Sequence, residues 1–239
     1  GHLGALDTLT AAQLVQGAVR EEGDDRVADL RQMGLHGIAI DVGSSTGGFS
    51  QLLLARGCRK VYAVDCGTNQ LDYSLRSDPR IEVMEKTNAR FLEAERFAAA
   101  PPDLAVMDVS FISATLLLPV IVGTLGVRDV VVLVKPQFEA GRGEVGAGGI
   151  VRDPAVQENV ISRVADCLVK LGLVAAGLTY SPVTGGDGNI EFLLRACGPE
   201  RGEVPGAVGC DIACVVAAAH ARFDPQREDT DANPDHTRL

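Results

Sequence analysis

The sequence predicts an α/β protein: a Rossmann-like, mostly parallel sheet with helices on both faces and a C-terminal antiparallel hairpin strand. Three observations predict it. Short apolar runs recur at regular intervals, separated by helical stretches. The runs are continuous rather than alternating, as strands buried on both faces require. The first run ends in an acid and a glycine-rich turn, "IAIDVGSSTGGFS" (38–50), which is how a ligand crevice opens in such a sheet.

The elements follow in order. Residues 10–33, "TAAQLVQGAVREEGDDRVADLRQM", read as helix broken near "EEGDD". Strands are expected at "GIAIDVG" (37–43), "KVYAVDCG" (60–67), "IEVMEK" (81–86), "DLAVMDVS" (103–110) and "DVVVLVKP" (129–136). Helices are expected between them at "GGFSQLLLARG", "QLDYSLRSD" and "ISATLLLPVIVGTL", with a long amphipathic one over 154–172. "LVAAGLTYSPV" and "NIEFLLRA" complete the sheet as a hairpin, and "DIACVVAAAHARF" (211–223) reads as a final core or dimer helix. The organisation expected is a helical segment over 1–36, the sheet domain over 37–197 and a helix region over 198–222. A polar tail over 223–239 is expected to be disordered. No internal repeat is visible.

Composition narrows the class. A chain of 239 residues, 46% hydrophobic and 23% charged, suffices for one large domain. No apolar run approaches the roughly 20 residues needed to span a membrane, and "GHLGALDTLT" lacks the parts of a signal peptide. Six scattered cysteines form no C-x-x-C pair, so they read as reduced thiols in a cytoplasmic protein, and no metal site is expected. The net charge is −10; residues from 198 onward carry eight acids against four basic groups, so the rest still carries −6. That balance is unfavourable for nucleic acid outside a local basic patch.

The glycine-rich turn spaces its residues as Asp41-x-Gly43-x-x-x-Gly47-Gly48, so Ser45 stands where a dinucleotide fingerprint has its second glycine, and no P-loop lysine follows. Pyrophosphate is disfavoured. Asp65 ends the second strand about 20 residues on, placed for ribose hydroxyls, with Cys66 beside it. Asn88 and Ala89 follow the third strand, near an adenine edge. Together these describe S-adenosylmethionine, held by Asp41, Gly43, Ser44, Ser45, Thr46, Gly47, Gly48, Phe49, Asp65, Cys66, Asn88, Ala89 and Asp108. Three charged groups sit at strand ends in apolar surroundings: Asp108, Lys135 and Glu191. If the last strand is antiparallel, all three meet at one sheet edge. That set suits methyl transfer to an alcohol, in which a lysine helps the acceptor lose its proton. Neighbouring carboxylates orient the amine but raise its pKa.

These residues resemble the TlyA, or hemolysin-like, family of ribose 2′-O-methyltransferases within the FtsJ-type class. The likeness spans about 37–195 and rests on "DVGSSTGGFSQLLLARG", "VYAVDCGTNQL", "RIEVMEKTNAR", "DLAVMDVSFIS", "LVKPQFEAGRGEVGAGGIVRDP" and "GNIEFLL". The resemblance implies a class I methyltransferase fold, S-adenosylmethionine as cofactor and cytidine ribose in ribosomal RNA as acceptor. It makes Asp108, Lys135 and Glu191 the last three members of a Lys-Asp-Lys-Glu tetrad. The motif that normally carries the first lysine, "SRGG-x-K-L", has no counterpart in residues 17–33, where Arg20 and Arg26 are the nearby cations. No counterpart of the family's small N-terminal RNA-binding domain is expected.

Three functions stay open. The chain is an RNA ribose methyltransferase with a divergent N-terminus, a methyltransferase of a small-molecule acceptor, or a non-catalytic S-adenosylmethionine-binding protein. A basic face around Arg90, Arg142 and Arg152 would favour RNA. The loop at 138–154, with five glycines, reads either as a lid whose Arg142 and Arg152 meet substrate phosphate or carboxylate, or as a mobile connector. His220 reads as structural, and a homodimer is compatible with the last helix.

Overall fold

The computed structural model describes residues 37–141, 143–201 and 212–224. The helix expected over 10–33 lies outside the described residues. Five strands run parallel: β1 (Ile38–Val42), β2 (Lys60–Val64), β3 (Ile81–Met84), β4 (Leu104–Met107) and β5 (Asp129–Val134). β6 (Val174–Tyr180) and β7 (Phe192–Cys197) complete a seven-stranded sheet of order β3-β2-β1-β4-β5-β7-β6. β7 is antiparallel to both neighbours, as the hairpin reading required. The strand order reverses between β1 and β4, where ligands bind in open sheets of this kind.

Alternation along the strands divides the core into two layers. Ile40 and Val42 of β1, Val130, Val132 and Val134 of β5, and Phe192 and Leu194 of β7 face one layer. It is covered by the long helix α4 (Pro154–Lys170), through Val160, Ile161, Val164 and Leu168, and by α5 (Ile212–Arg222), through Val216 and Ala219. Phe223 packs edge-on against Tyr180 beyond α5. Ala39, Val61, Ala63, Val106, Leu133 and Leu193 face the other layer, under Phe49, Leu53 and Leu54 of α1 (Gly48–Ala55). A short helix α2 (Tyr73–Arg76), capped by Asp72, leads into β3.

Two elements depart from expectation for local reasons. The single helix read over 112–125 is a 3₁₀ turn (Ala114–Leu116) followed by a π-helix (Pro119–Thr124). Pro119 has no N–H to give the preceding turn and cannot continue one regular helix. The apolar run at 129–136 continues through Lys135 and Pro136, but the fifth strand ends at Val134. Pro136 instead opens the four-residue helix α3 (Pro136–Glu139), with Lys135 as its N-cap residue.

Phe97 is buried beside Tyr62, edge to face at 4.8 Å. Phe97→Ala is expected to cost about 3–5 kcal/mol and to lower the melting temperature by roughly 10 °C, measured by circular dichroism.

Candidate active site at the sheet edge

One geometric fact assembles the site. Along each strand alternate residues face α1: Ala39 in β1, Val61 and Ala63 in β2, Val106 in β4, Leu133 in β5, Leu193 in β7. Extending each alternation to the same sheet edge reaches Asp41, Asp65, Asp108, Lys135 and, on the reversed strand, Glu191. The antiparallel register pairs Val134 with Phe192, so Lys135 and Glu191 leave neighbouring strands side by side.

The loop after β1 folds back on β2. Gly43 and Ser44 donate their N–H groups to the Val64 carbonyl at 2.8 and 3.1 Å, and Ser45 donates to Asp65 Oδ2 at 2.9 Å. Gly43 has φ +84°, and a β-carbon there would collide with the Asp108 carbonyl oxygen, so only glycine lets the loop pass β4. Gly47, also at positive φ, caps α1, and Gly48 begins it; the Thr46 carbonyl accepts from Asp72. The Phe49 ring is buried in the core, so what Phe49 offers a ligand is its N–H in the first turn of α1. Asp65 Oδ1 accepts from Gly67 N–H at 2.6 Å; with one main-chain bond on each oxygen, the carboxylate keeps acceptor capacity for a ligand. Cys66 is exposed beside it, Ala89 is buried, and Asn88 is exposed with its Oδ1 taken by Arg90 N–H, leaving the Asn88 amide nitrogen as its donor.

Asp41 is fully buried. Its Oδ2 accepts the Ser50 hydroxyl at 2.6 Å, and its Oδ1 has no partner. Burial above all raises its pKa to about 7; the carboxylates of Asp108 and Asp65 push the same way, against the Ser50 hydrogen bond.

The β4–β5 end of this edge centres on Lys135. Its ammonium lies 2.6 Å from Asp108 Oδ1 and 3.2 Å from the Ser110 hydroxyl, with the lysine side chain 13% exposed. Glu191 is buried. Its Oε1 accepts from Gln137 Nε2 at 3.1 Å. Burial pushes the Glu191 pKa up and Asp108 adds to this, while the Lys135 charge and the Gln137 bond pull it back. Ser110, Gln137 and Phe111 also lie at this end of the edge, and no motif marks them. Gln137 was legible only as the residue two beyond Lys135, once α3 was known to exist. Phe111 has φ +63°, a conformation that costs a residue with a β-carbon roughly 1–2 kcal/mol. Its ring is 90% exposed and touches the Phe138 ring at a centroid distance of 5.0 Å.

The glycine-rich loop after α3 is tied down at its exit. Asn189, buried two residues before Glu191, accepts from Val151 N–H at 2.9 Å and donates to the Gly149 carbonyl at 3.0 Å. Gln157 of α4 donates to the Val151 carbonyl at 2.9 Å, and its own oxygen lies 2.9 Å from His220 Nε2 of α5. His220 is thus a packing partner, as read. Arg152 is exposed just before α4, and Arg90 is exposed after β3. Arg142 lies outside the described residues.

Residues 21–196 match the FtsJ-like methyltransferase family. The chain belongs to that family. It is 48% identical over 198 residues to YqxC of Bacillus subtilis, covering 80% of this chain and 69% of YqxC. It is 47% identical over 156 residues to the 16S/23S rRNA (cytidine-2′-O)-methyltransferase TlyA of Mycobacterium tuberculosis, covering 65% of this chain and 58% of TlyA. A solved structure from Streptococcus thermophilus, described as a hemolysin, superposes with a TM-score of 0.75 at 42% identity, over 85% of this chain and 74% of that one. No described helix is long and apolar enough to cross a membrane.

The residues fit S-adenosylmethionine, the cofactor that FtsJ-like membership implies. Asp65 carries one main-chain bond on each oxygen and keeps acceptor capacity beside the Gly43 turn, whose backbone runs against the Asp108 carbonyl with no side chain between them. Two outcomes are expected. Gly43→Ala, strained by its φ and blocked by the Asp108 carbonyl, weakens cofactor binding by at least about tenfold in calorimetry. Asp41 holds its proton more tightly folded than unfolded, so it makes stability fall as pH rises from about 4 to about 7. Asp41→Asn removes that loss. It should melt about 5 °C above the wild type at pH 8, and the gap should close toward pH 4.

Proposed function

We propose that this chain is an S-adenosylmethionine-dependent O-methyltransferase whose acceptor is a ribose hydroxyl of ribosomal RNA. The observation that carries the reading is the Lys135–Asp108 contact at 2.6 Å, set beside buried Glu191 at the edge where the strand order reverses. A lone partly buried ion pair is weak support for catalysis, since many such pairs are structural. Here the amine stays partly accessible, contacts a carboxylate and a hydroxyl, and acts through its charge on a second, buried carboxylate, next to a glycine-turned ligand loop, which supports a chemical role. The likeness to TlyA supports the acceptor.

S-adenosylmethionine supplies a methyl group already activated by its sulfonium charge. The residues proposed to hold it are Asp41, the Gly43–Phe49 turn, Asp65 with Cys66, Asn88 with Ala89, and Asp108. Lys135 Nζ is the group proposed to meet the acceptor hydroxyl, and its contacts with Asp108 and Ser110 restrain where that nitrogen points. Glu191, its pKa raised by burial, is a better proton acceptor than a solvated carboxylate and is the proposed receiver of the hydroxyl proton. The exposed Phe111 ring offers a face on which a nucleobase stacks. Arg142 and Arg152 are the proposed phosphate contacts, and an rRNA acceptor places the protein in the cytoplasm.

A second reading, transfer to a small-molecule alcohol with the same residues, is favoured by one observation: the net charge of −10 opposes RNA. A labelled-methyl transfer assay decides between them. Wild-type protein is expected to label ribosomal RNA and not a panel of small alcohols. Lys135→Ala is expected to lower the rate by about 10²–10⁴-fold while still binding S-adenosylmethionine. Asp65→Ala is expected to lose cofactor affinity by about tenfold or more in calorimetry. Transfer to the alcohols alone would make the second reading the function. Cofactor binding with no transfer to any acceptor would leave only a binding protein.

A further inference from the structure

Two short segments carry the acceptor side: 108–114 after β4 and 135–139 after β5. They are joined at three places. Lys135 meets Asp108 and Ser110 at one end, and the rings of Phe138 and Phe111 meet in the middle. At the far end, both oxygens of the Glu139 carboxylate are spent on the facing segment. Oε2 accepts the Ser113 hydroxyl at 2.5 Å, and Oε1 accepts the Ala114 N–H at 2.6 Å. Arg163 of α4 donates to the Glu139 carbonyl at 2.7 Å, so the residue making the clamp is itself held.

We propose that Glu139 is a positioning residue for the acceptor side, holding the 108–114 segment so that Ser110 and Phe111 stand correctly against Lys135; this rests on the methyl-transfer reading above.

The strain at Phe111 is the main argument. A left-handed backbone at a residue with a β-carbon persists only where its surroundings over-determine it. Nothing about the Phe111 ring does so, because it is almost wholly exposed and touches Phe138 alone among aromatic neighbours. The restraint therefore comes from the flanking residues: Val109 and Ile112 pack against the core, and the segment's two ends are bonded. Asp108 is fixed by its N–H to the Val42 carbonyl at 2.9 Å and by the Lys135 contact. Ser113 and Ala114 are fixed by Glu139. Remove the second anchor and the segment keeps only the core contacts of Val109, Ile112 and Ala114, so the exposed Ser110–Phe111 turn loosens, taking the Ser110 hydroxyl and the Phe111 ring with it.

The chemistry of the clamp supports the same view. Burial raises the Glu139 pKa, against the pull of the Ser113 and Ala114 bonds and the Arg163 charge. A desolvated carboxylate is a costly way to fill space, and an apolar side chain would do that at less cost. What the carboxylate alone supplies is two acceptors in a fixed plane, which sets the register of one segment against the other. Glu139 points away from the reacting centre, toward Ser113 and Ala114, so it acts through the segment rather than on the acceptor.

The test compares Glu139→Leu and Glu139→Gln in the full chain by three measurements: hydrogen exchange of the 109–115 amides, S-adenosylmethionine affinity by calorimetry, and kcat and KM for the acceptor that the wild type methylates. In the leucine variant, exchange over 109–115 is expected to quicken by about tenfold or more. Acceptor KM should rise by a similar factor, with cofactor affinity within about twofold of wild type. Glutamine can accept from Ala114 with its oxygen and donate to the Ser113 oxygen with its nitrogen, so it should restore both exchange and KM to within about threefold. Should the leucine variant fail to fold, Ser113→Ala removes one of the two bonds and should show the same pattern at smaller amplitude. Unchanged exchange in Glu139→Leu or Ser113→Ala overturns the proposal, and so does a glutamine variant as impaired as the leucine one. A wild type that methylates no acceptor sinks the methyl-transfer reading by itself, while the exchange comparison still decides the clamp.

Discussion

One positive charge holds the edge of this sheet together. Asp41, Asp108 and Glu191 all reach the same side of the sheet, and two of them carry raised pKa values because burial and mutual repulsion disfavour their charges. Lys135 is the cation among them. Its contact with Asp108 ties β4 to β5, and its field draws Glu191 back toward the ionised form. Gln137 adds a neutral donor to the same carboxylate. The arrangement gathers one amine, three acids and two polar partners at one edge. A ligand carrying its own positive charge would enter a place that already has more acid than base.

Much of this was legible in the sequence because strand alternation is a strong rule. The runs ending in Asp41, Asp65, Asp108 and Lys135 are short and apolar, so their polar end residues stood out. The antiparallel last strand then brought Glu191 to the same edge. What was not legible has a common cause. Helix α3 is only four residues long, and a Lys-Pro pair at the end of an apolar run reads as strand. With α3 unseen, Gln137 and Glu139 had no direction, so their contacts with Glu191 and with Ser113 and Ala114 were hidden. The broken helix over 112–125 turned on a single proline inside a run of helix-compatible residues. The left-handed Phe111 had no signal at all, because nothing in "DVSFIS" requires a positive φ; tertiary anchors impose it.

The glycine-rich loop shows the same division between local and tertiary information. Five glycines within seventeen residues offer no pattern that specifies a structure. The loop's exit is nonetheless fixed, because Asn189 supplies the two main-chain partners that a neighbouring strand would otherwise provide. Gln157 and His220 continue that restraint to α5. A buried amide substituting for a strand is invisible until the turn before β7 is placed beside the loop.

The polar groups of the edge arrive by two kinds of connection. Asp41, Asp65, Asp108 and Lys135 come on strand-to-helix or strand-to-loop units whose turns are bonded to one another, as Ser45 is to Asp65 and Gly43 to Val64. Glu191 comes on a hairpin, from the far end of the chain's own order. Length changes in the turn between β6 and β7 therefore reach the Glu191 end without passing through the turns that would hold a nucleoside. The two halves of the crevice can drift apart in evolution, or be separated by an engineer: a new acceptor can be sought by rebuilding one hairpin, with the machinery for the methyl donor left as inherited.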